Sequence, residues 1–157
     1  MVGDLTLPRL GVSQADLGRL RGVEHMFHLG AVYDLRAGAE AQQAANVEGT
    51  RHALELAHEA EVGCFHLVSS IAAAGLYEGV FREDMFEEAE HLEHPYFRTK
   101  HESEAIVRGE CRRPWRVYRP GIVVGDSRSG EMDKIDGPYY FFKLIQKLRH
   151  FLPEWLP

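Results

Sequence analysis

The sequence predicts an α/β fold, a parallel sheet with helices on both faces, and three observations lead there. Short, nearly continuous apolar segments recur at residues 23–29, 64–70 and 115–124, the pattern of strands buried on both sides. Longer stretches rich in helix formers, 37–60 and 96–111, lie between them, and parallel neighbours require such crossovers. Small and polar residues gather directly after each apolar segment, at Gly30-Ala31, Ser69-Ser70 and Gly125-Asp126-Ser127. Those are the strand ends where open parallel sheets bind ligands.

Each element has its own local reason. Residues 13–22 form a short helix that Ser13 caps and Gly22 ends, with Leu17 and Leu20 on one face. Residues 23–29 are the first strand, entering a tight turn at Gly30-Ala31. Residues 37–60 contain no proline and are rich in Ala, Glu, Gln and Leu, which predicts a long helix whose Val47, Leu54 and Ala57 stay apolar. Residues 64–70 are the second strand. Residues 82–94 carry six acids against one arginine and read as a solvated loop or surface helix. A helix over 96–111 follows Pro95, and a third strand spans 115–124 despite Pro120 near its middle. The last helix, 140–151, sets Phe141, Leu144, Ile145 and Leu148 against Lys143, Lys147 and Arg149, an ordinary core stripe backed by a basic face.

Composition narrows the function classes. With 18 Lys and Arg against 24 Asp and Glu, the net charge of −6 argues against a nucleic-acid partner. Two cysteines, Cys64 and Cys111, are too few for a disulfide framework and suit a reducing, cytoplasmic compartment. No segment approaches the roughly 18 uninterrupted apolar residues of a membrane span. The first residues lack the basic and apolar regions of a signal peptide.

The chemistry-bearing constellation is Ser70 with Tyr96 and Lys100. Residues four apart on a helix share a face, so the Lys100 ammonium lies near the Tyr96 hydroxyl. A nearby positive charge favours phenolate and fits the tyrosine for proton exchange with a substrate oxygen. Ser70, at the end of the preceding strand, can hydrogen-bond the same oxygen. A second copy of the spacing, Tyr139 with Lys143, lacks a serine-ended strand just before it and reads as a surface pair.

Six segments, in order, resemble the extended short-chain dehydrogenase/reductases (NAD-dependent epimerase/dehydratase-like). They are Gly3-Asp4-Leu5, His28-Leu29-Gly30-Ala31, Asn46-Val47-Glu48-Gly49-Thr50, Ser69-Ser70 through Gly75, Tyr96-Phe97-Arg98-Thr99-Lys100, and Arg119-Pro120-Gly121. The stretch from Arg119 to Gly130 is similar to the thioester-reductase-like branch, which occurs in bacterial multidomain proteins. The resemblance implies a three-layer Rossmann-like fold and an NAD(P)-dependent oxidoreductase. Tyr96 would be its general acid/base, Lys100 would hold the cofactor ribose and Ser70 would polarise a carbonyl. Asp4, Leu5, Leu29, Gly30, Ala31, Asn46, Lys100, Arg119, Pro120 and Gly121 would bind NAD or NADP. The substrate would be a small molecule, acyl chains included, and residues 138–157 would begin the substrate lobe.

The glycine-rich turn that binds a pyrophosphate is absent. The chain is therefore expected to be an N-terminally truncated, internal piece of a larger reductase, with an unpaired edge on its first strand and weak cofactor binding by itself. A non-catalytic interaction module derived from such a reductase stays open, with the aromatic run at 139–142 as its candidate surface. Gly125-Asp126-Ser127 superficially resembles an esterase nucleophile block, but the partner residues are absent, which favours a capped turn. No metal site is predicted: His91 and His94 stand without H-E-x-x-H or paired cysteines, and His28 and His66 read as hydrogen-bonded core histidines.

Overall fold

The structure, a computed structural model, describes residues 1–34, 37–132 and 138–149. The chain divides into two compact units, Met1–Gly121 and Ile122–Pro157.

The first unit is built on strands β1 (His25–His28), β2 (Cys64–Val68) and β3 (Trp115–Tyr118), all parallel in the order β1-β2-β3. Helix α1 (Gln14–Leu20) precedes β1. The Ser13 hydroxyl accepts from the Asp16 N–H at 3.2 Å, Leu17 is buried, and Gly22 turns the chain at φ 76°. The predicted long helix is one continuous helical run with an irregular middle: α2 (Ala39–Gln42), a π-helical turn (Gln43–Glu48) and α3 (Gly49–Glu59). Helix α4 (Pro95–Glu110) connects β2 to β3. Pro95 suits its first turn, where the missing N–H would have no helical partner, and the His94 Nδ1 caps it by accepting from the Tyr96 N–H at 3.1 Å.

Burial explains the layering. Phe65 and Leu67 of β2 pack with Ala53, Leu54, Leu56 and Ala57 of α3 and with Ile106 and Val107 of α4. Met26, Trp115 and Val117 lie against the same cluster. Strand alternation sends His25, Phe27, Cys64, His66 and Tyr118 to the opposite face, where Phe27 and Tyr118 are exposed. Helices α3 and α4 thus share one face of the parallel sheet, in keeping with the predicted α/β, Rossmann-like fold.

The third strand ends sooner than predicted. Pro120 cannot donate to a ladder, and Ile122, Val123 and Val124 beyond it are exposed rather than sheet-bound. Residues 82–94 form a loop of turns that buries Met85 and bridges back through Glu90 to Gly75.

In the second unit the described helix is α5 (Pro138–Arg149). Residues 150 and 151 of the predicted helix lie outside the described residues. Phe141, Leu144, Ile145 and Leu148 are exposed, so the stripe read as core does not behave as core. The Asp126 carboxylate accepts from the N–H groups of Arg128 and Ser129 at 2.9 and 2.7 Å, as the capped-turn reading of Gly125-Asp126-Ser127 expects.

Candidate active site

The candidate residues of the first unit assemble at the carboxyl ends of the strands. β2 leads into Ser69 and Ser70, and Ser70 caps the 3-10 turn Ile71–Ala74. Its Oγ accepts from the Ala72 N–H at 3.2 Å, leaving the hydroxyl proton for another acceptor. Helix α4 lies against this turn, and the His101 Nδ1 donates to the Ala73 carbonyl at 3.0 Å. Lys100 is buried, and its Nζ donates to the Val68 carbonyl at 3.4 Å. The ammonium therefore sits at the strand end that carries Ser70, one helical turn from half-buried Tyr96.

The electrostatics follow from that burial. Desolvation pushes the Lys100 ammonium below its usual range, while the Glu104 carboxylate opposes the shift. The His28 imidazole is pushed down to about 4, first by burial and then by the Lys100 charge. It is neutral near pH 7, and its Nε2 lies 3.2 Å from the Thr50 hydroxyl. Fully buried Glu104 is matched by Arg119, whose Nε and Nη2 donate to the carboxylate at 3.0 and 2.7 Å.

Two predicted cofactor residues have side chains engaged within the chain. The Asn46 amide is taken up within the chain: Oδ1 accepts from the Val32 N–H at 2.7 Å, and Nδ2 donates to the Val32 carbonyl and Thr99 Oγ1, each at 3.0 Å. Asn46 therefore ties the turn after β1 to α4. The Arg119 guanidinium is likewise held by Glu104 and by the Met85 carbonyl at 3.0 Å.

The other positions have local partners of their own. Leu5 lies against Gly30, where an added Cβ would come within 2.9 Å of Leu5 Cδ1, so a side chain there requires the Leu5 side chain to move aside. Leu29 and Gly30 are exposed and Ala31 is half-buried beside them. The Asp4 carboxylate accepts from the Thr6 N–H at 2.8 Å and from its hydroxyl at 2.7 Å. The Pro120 carbonyl accepts from the Ile71 N–H at 3.2 Å, joining the Arg119-Pro120-Gly121 turn to the Ser70 segment. Glu104 was missed in the sequence, and Thr50, quoted there within the Asn46–Thr50 segment, was given no role of its own. Glu104 had a usable signal, four residues after Lys100 on one helix face.

A nicotinamide-riboside half fits these residues. Buried Ser69 Oγ has no hydrogen-bond partner among the described residues. The Lys100 ammonium has donors beyond its one described hydrogen bond, and the Gly30 turn offers close backbone approach.

Known proteins provide the wider frame. Residues 1–156 match the NAD-binding family described as male sterility protein. A linear gramicidin synthase of Brevibacillus parabrevis is 34% identical over 144 residues, covering 87% of this chain and 3% of that protein. The terminal R domain from the myxalamid PKS-NRPS biosynthetic pathway superimposes with a TM-score of 0.77 at 29% identity, over 93% of this chain and 38% of that structure. A UDP-glucuronic acid 4-epimerase from Bacillus cereus, solved with NAD, gives 0.63 at 20% identity over 94% of this chain and 45% of that one, a likeness of fold. The chain spans less than half the length of each of these three.

Proposed function

The chain belongs to the NAD-binding family described as male sterility protein, and from that premise we propose that it carries the catalytic residues of a thioester-reductase-like NAD(P)-dependent enzyme. The observation that carries the reading is the buried Lys100 ammonium at the Val68 carbonyl, one helical turn from Tyr96 and at the strand end that bears Ser70.

When bound, NAD or NADP supplies or takes up the hydride. The chain's own residues handle the oxygen and the proton. The Ser70 hydroxyl, whose oxygen is occupied by the Ala72 N–H, donates to the substrate carbonyl oxygen and orients it. The Tyr96 hydroxyl would give its proton to that oxygen in reduction, and its deprotonated oxygen would take the proton back in oxidation. Lys100, whose ammonium has donors beyond its bond to the Val68 carbonyl, would donate to ribose hydroxyls. Asn46 acts at one remove, holding the turn beneath the ribose against α4. Leu29, Gly30, Ala31, Pro120 and Gly121 would hold the cofactor through their backbone, and Asp4 and Leu5 would hold its adenosine part.

The substrate class proposed is an acyl thioester, in keeping with the synthetase relatives. The protein would be cytoplasmic, with residues 138–157 opening the substrate lobe. Among the described residues no helix is long and apolar enough to cross a membrane.

The test is NADPH oxidation with an acyl thioester by the protein that contains this chain. Tyr96→Phe is expected to lower kcat by roughly 10²- to 10⁴-fold with an unchanged circular dichroism spectrum. Unchanged turnover in that variant would overturn the role of Tyr96, and absence of turnover in the unsubstituted protein would favour the interaction module instead.

A further inference from the structure

Beyond the carboxyl-end site, the described residues hold one cluster of metal-ligating side chains, His25, Cys64 and His66. His25 and Cys64 open β1 and β2, at the strand ends opposite to Ser70 and on the face away from α3 and α4. The parallel register sets His25 beside Cys64 and Phe27 beside His66, so residues distant in sequence share one patch of sheet. His25 Nδ1 lies 3.0 Å from His66 Nε2, and one ligand atom from each residue falls within 4.8 Å of the others.

We propose that His25 Nδ1, His66 Nε2 and Cys64 Sγ bind a divalent transition-metal ion of the zinc type, with water in the fourth position. A tetrahedral zinc ion, with bonds of about 2.0–2.3 Å to nitrogen and sulfur, needs donors roughly 3.3–3.7 Å apart. The two imidazoles must therefore separate by only a few tenths of an ångström. His25 is exposed, which gives the ion access from solvent. His66 Nδ1 lies 2.9 Å from the Tyr118 hydroxyl, an outer partner that fixes the ring and leaves Nε2 for the metal. Phe27 stacks on the same ring at 4.2 Å and 13°. Binding replaces the His25–His66 hydrogen bond by two metal–nitrogen bonds and releases the Cys64 thiol proton to solvent. A plain hydrogen-bonded ladder of His25, His66 and Tyr118 would give the thiol no part, and that difference makes the proposal testable.

The experiment is titration of the reduced, purified chain with Co²⁺, followed by competition with Zn²⁺. One equivalent of Co²⁺ is expected to give a thiolate-to-cobalt charge-transfer band with the intense visible bands of a four-coordinate ion, and Zn²⁺ should displace both. Cys64→Ser should abolish the charge-transfer band. His25→Ala, a change at an exposed position, should weaken Zn²⁺ binding at least 10-fold with unchanged circular dichroism. Cys111→Ser should change neither. Absence of the cobalt spectrum, its survival in Cys64→Ser, or full Zn²⁺ affinity in His25→Ala would overturn the proposal.

Discussion

His28 shows how one residue can set a pH limit on the whole fold. Its imidazole is held at about 4 in the folded chain against an ordinary value of 6.5. Between those values the unfolded chain binds the proton and the folded chain does not, so stability falls as the pH is lowered through that window. The separation corresponds to about 3 kcal/mol, and urea midpoints measured from pH 7 to pH 4 should decline accordingly. His28→Gln should flatten the profile; an unchanged slope would show that His28 is not the group responsible. Glu104 poses the complementary case. It is fully buried, and Arg119 grips it with two nitrogens. Arg119→Met leaves that carboxylate without its guanidinium, a loss expected to cost about 3–5 kcal/mol. Adding Glu104→Gln should restore part of it, because the uncompensated charge is then removed.

Among elements, the segment from Ser70 to Glu90 depends on backbone geometry more than on side chains. Gly75 has φ 65°, and a Cβ there would fall 1.8 Å from the Glu90 carbonyl oxygen. That carbonyl accepts from the Leu76 N–H at 2.8 Å, and the Glu90 N–H donates to Ala74 at 3.2 Å. Gly75→Ala should therefore break the bridge and lower thermal stability, with about 1–3 kcal/mol lost to the backbone conformation alone. The Ser13 cap, the α4 start at Pro95 and the strand cores were legible because each is dictated by residues within a few positions. The overrun of the third strand past Pro120 came from weighing apolar character above a missing N–H. The π-helical turn in the long helix leaves no mark in composition.

For the molecule as a whole, the parallel fold was readable because apolar segments and helix formers alternate along the chain. The site was readable in part: Ser70 and Lys100 meet at one strand end, whereas Asn46 and Arg119 turned out to bind the chain itself. Their partners, Val32 in the turn after β1 and Thr99 and Glu104 on α4, lie on elements other than their own, and no local spacing encodes such pairings. The His25, Cys64 and His66 grouping escaped for the same reason, since only strand register unites it. The link through Asn46 reaches further than its two hydrogen bonds to Val32 suggest. An amide in an irregular loop ordinarily trades its hydrogen with solvent through small local fluctuations. Val32 is fastened to a side chain that is itself anchored on α4, so its deuterium uptake should track the helix interior, making this loop position a reporter of cooperative opening.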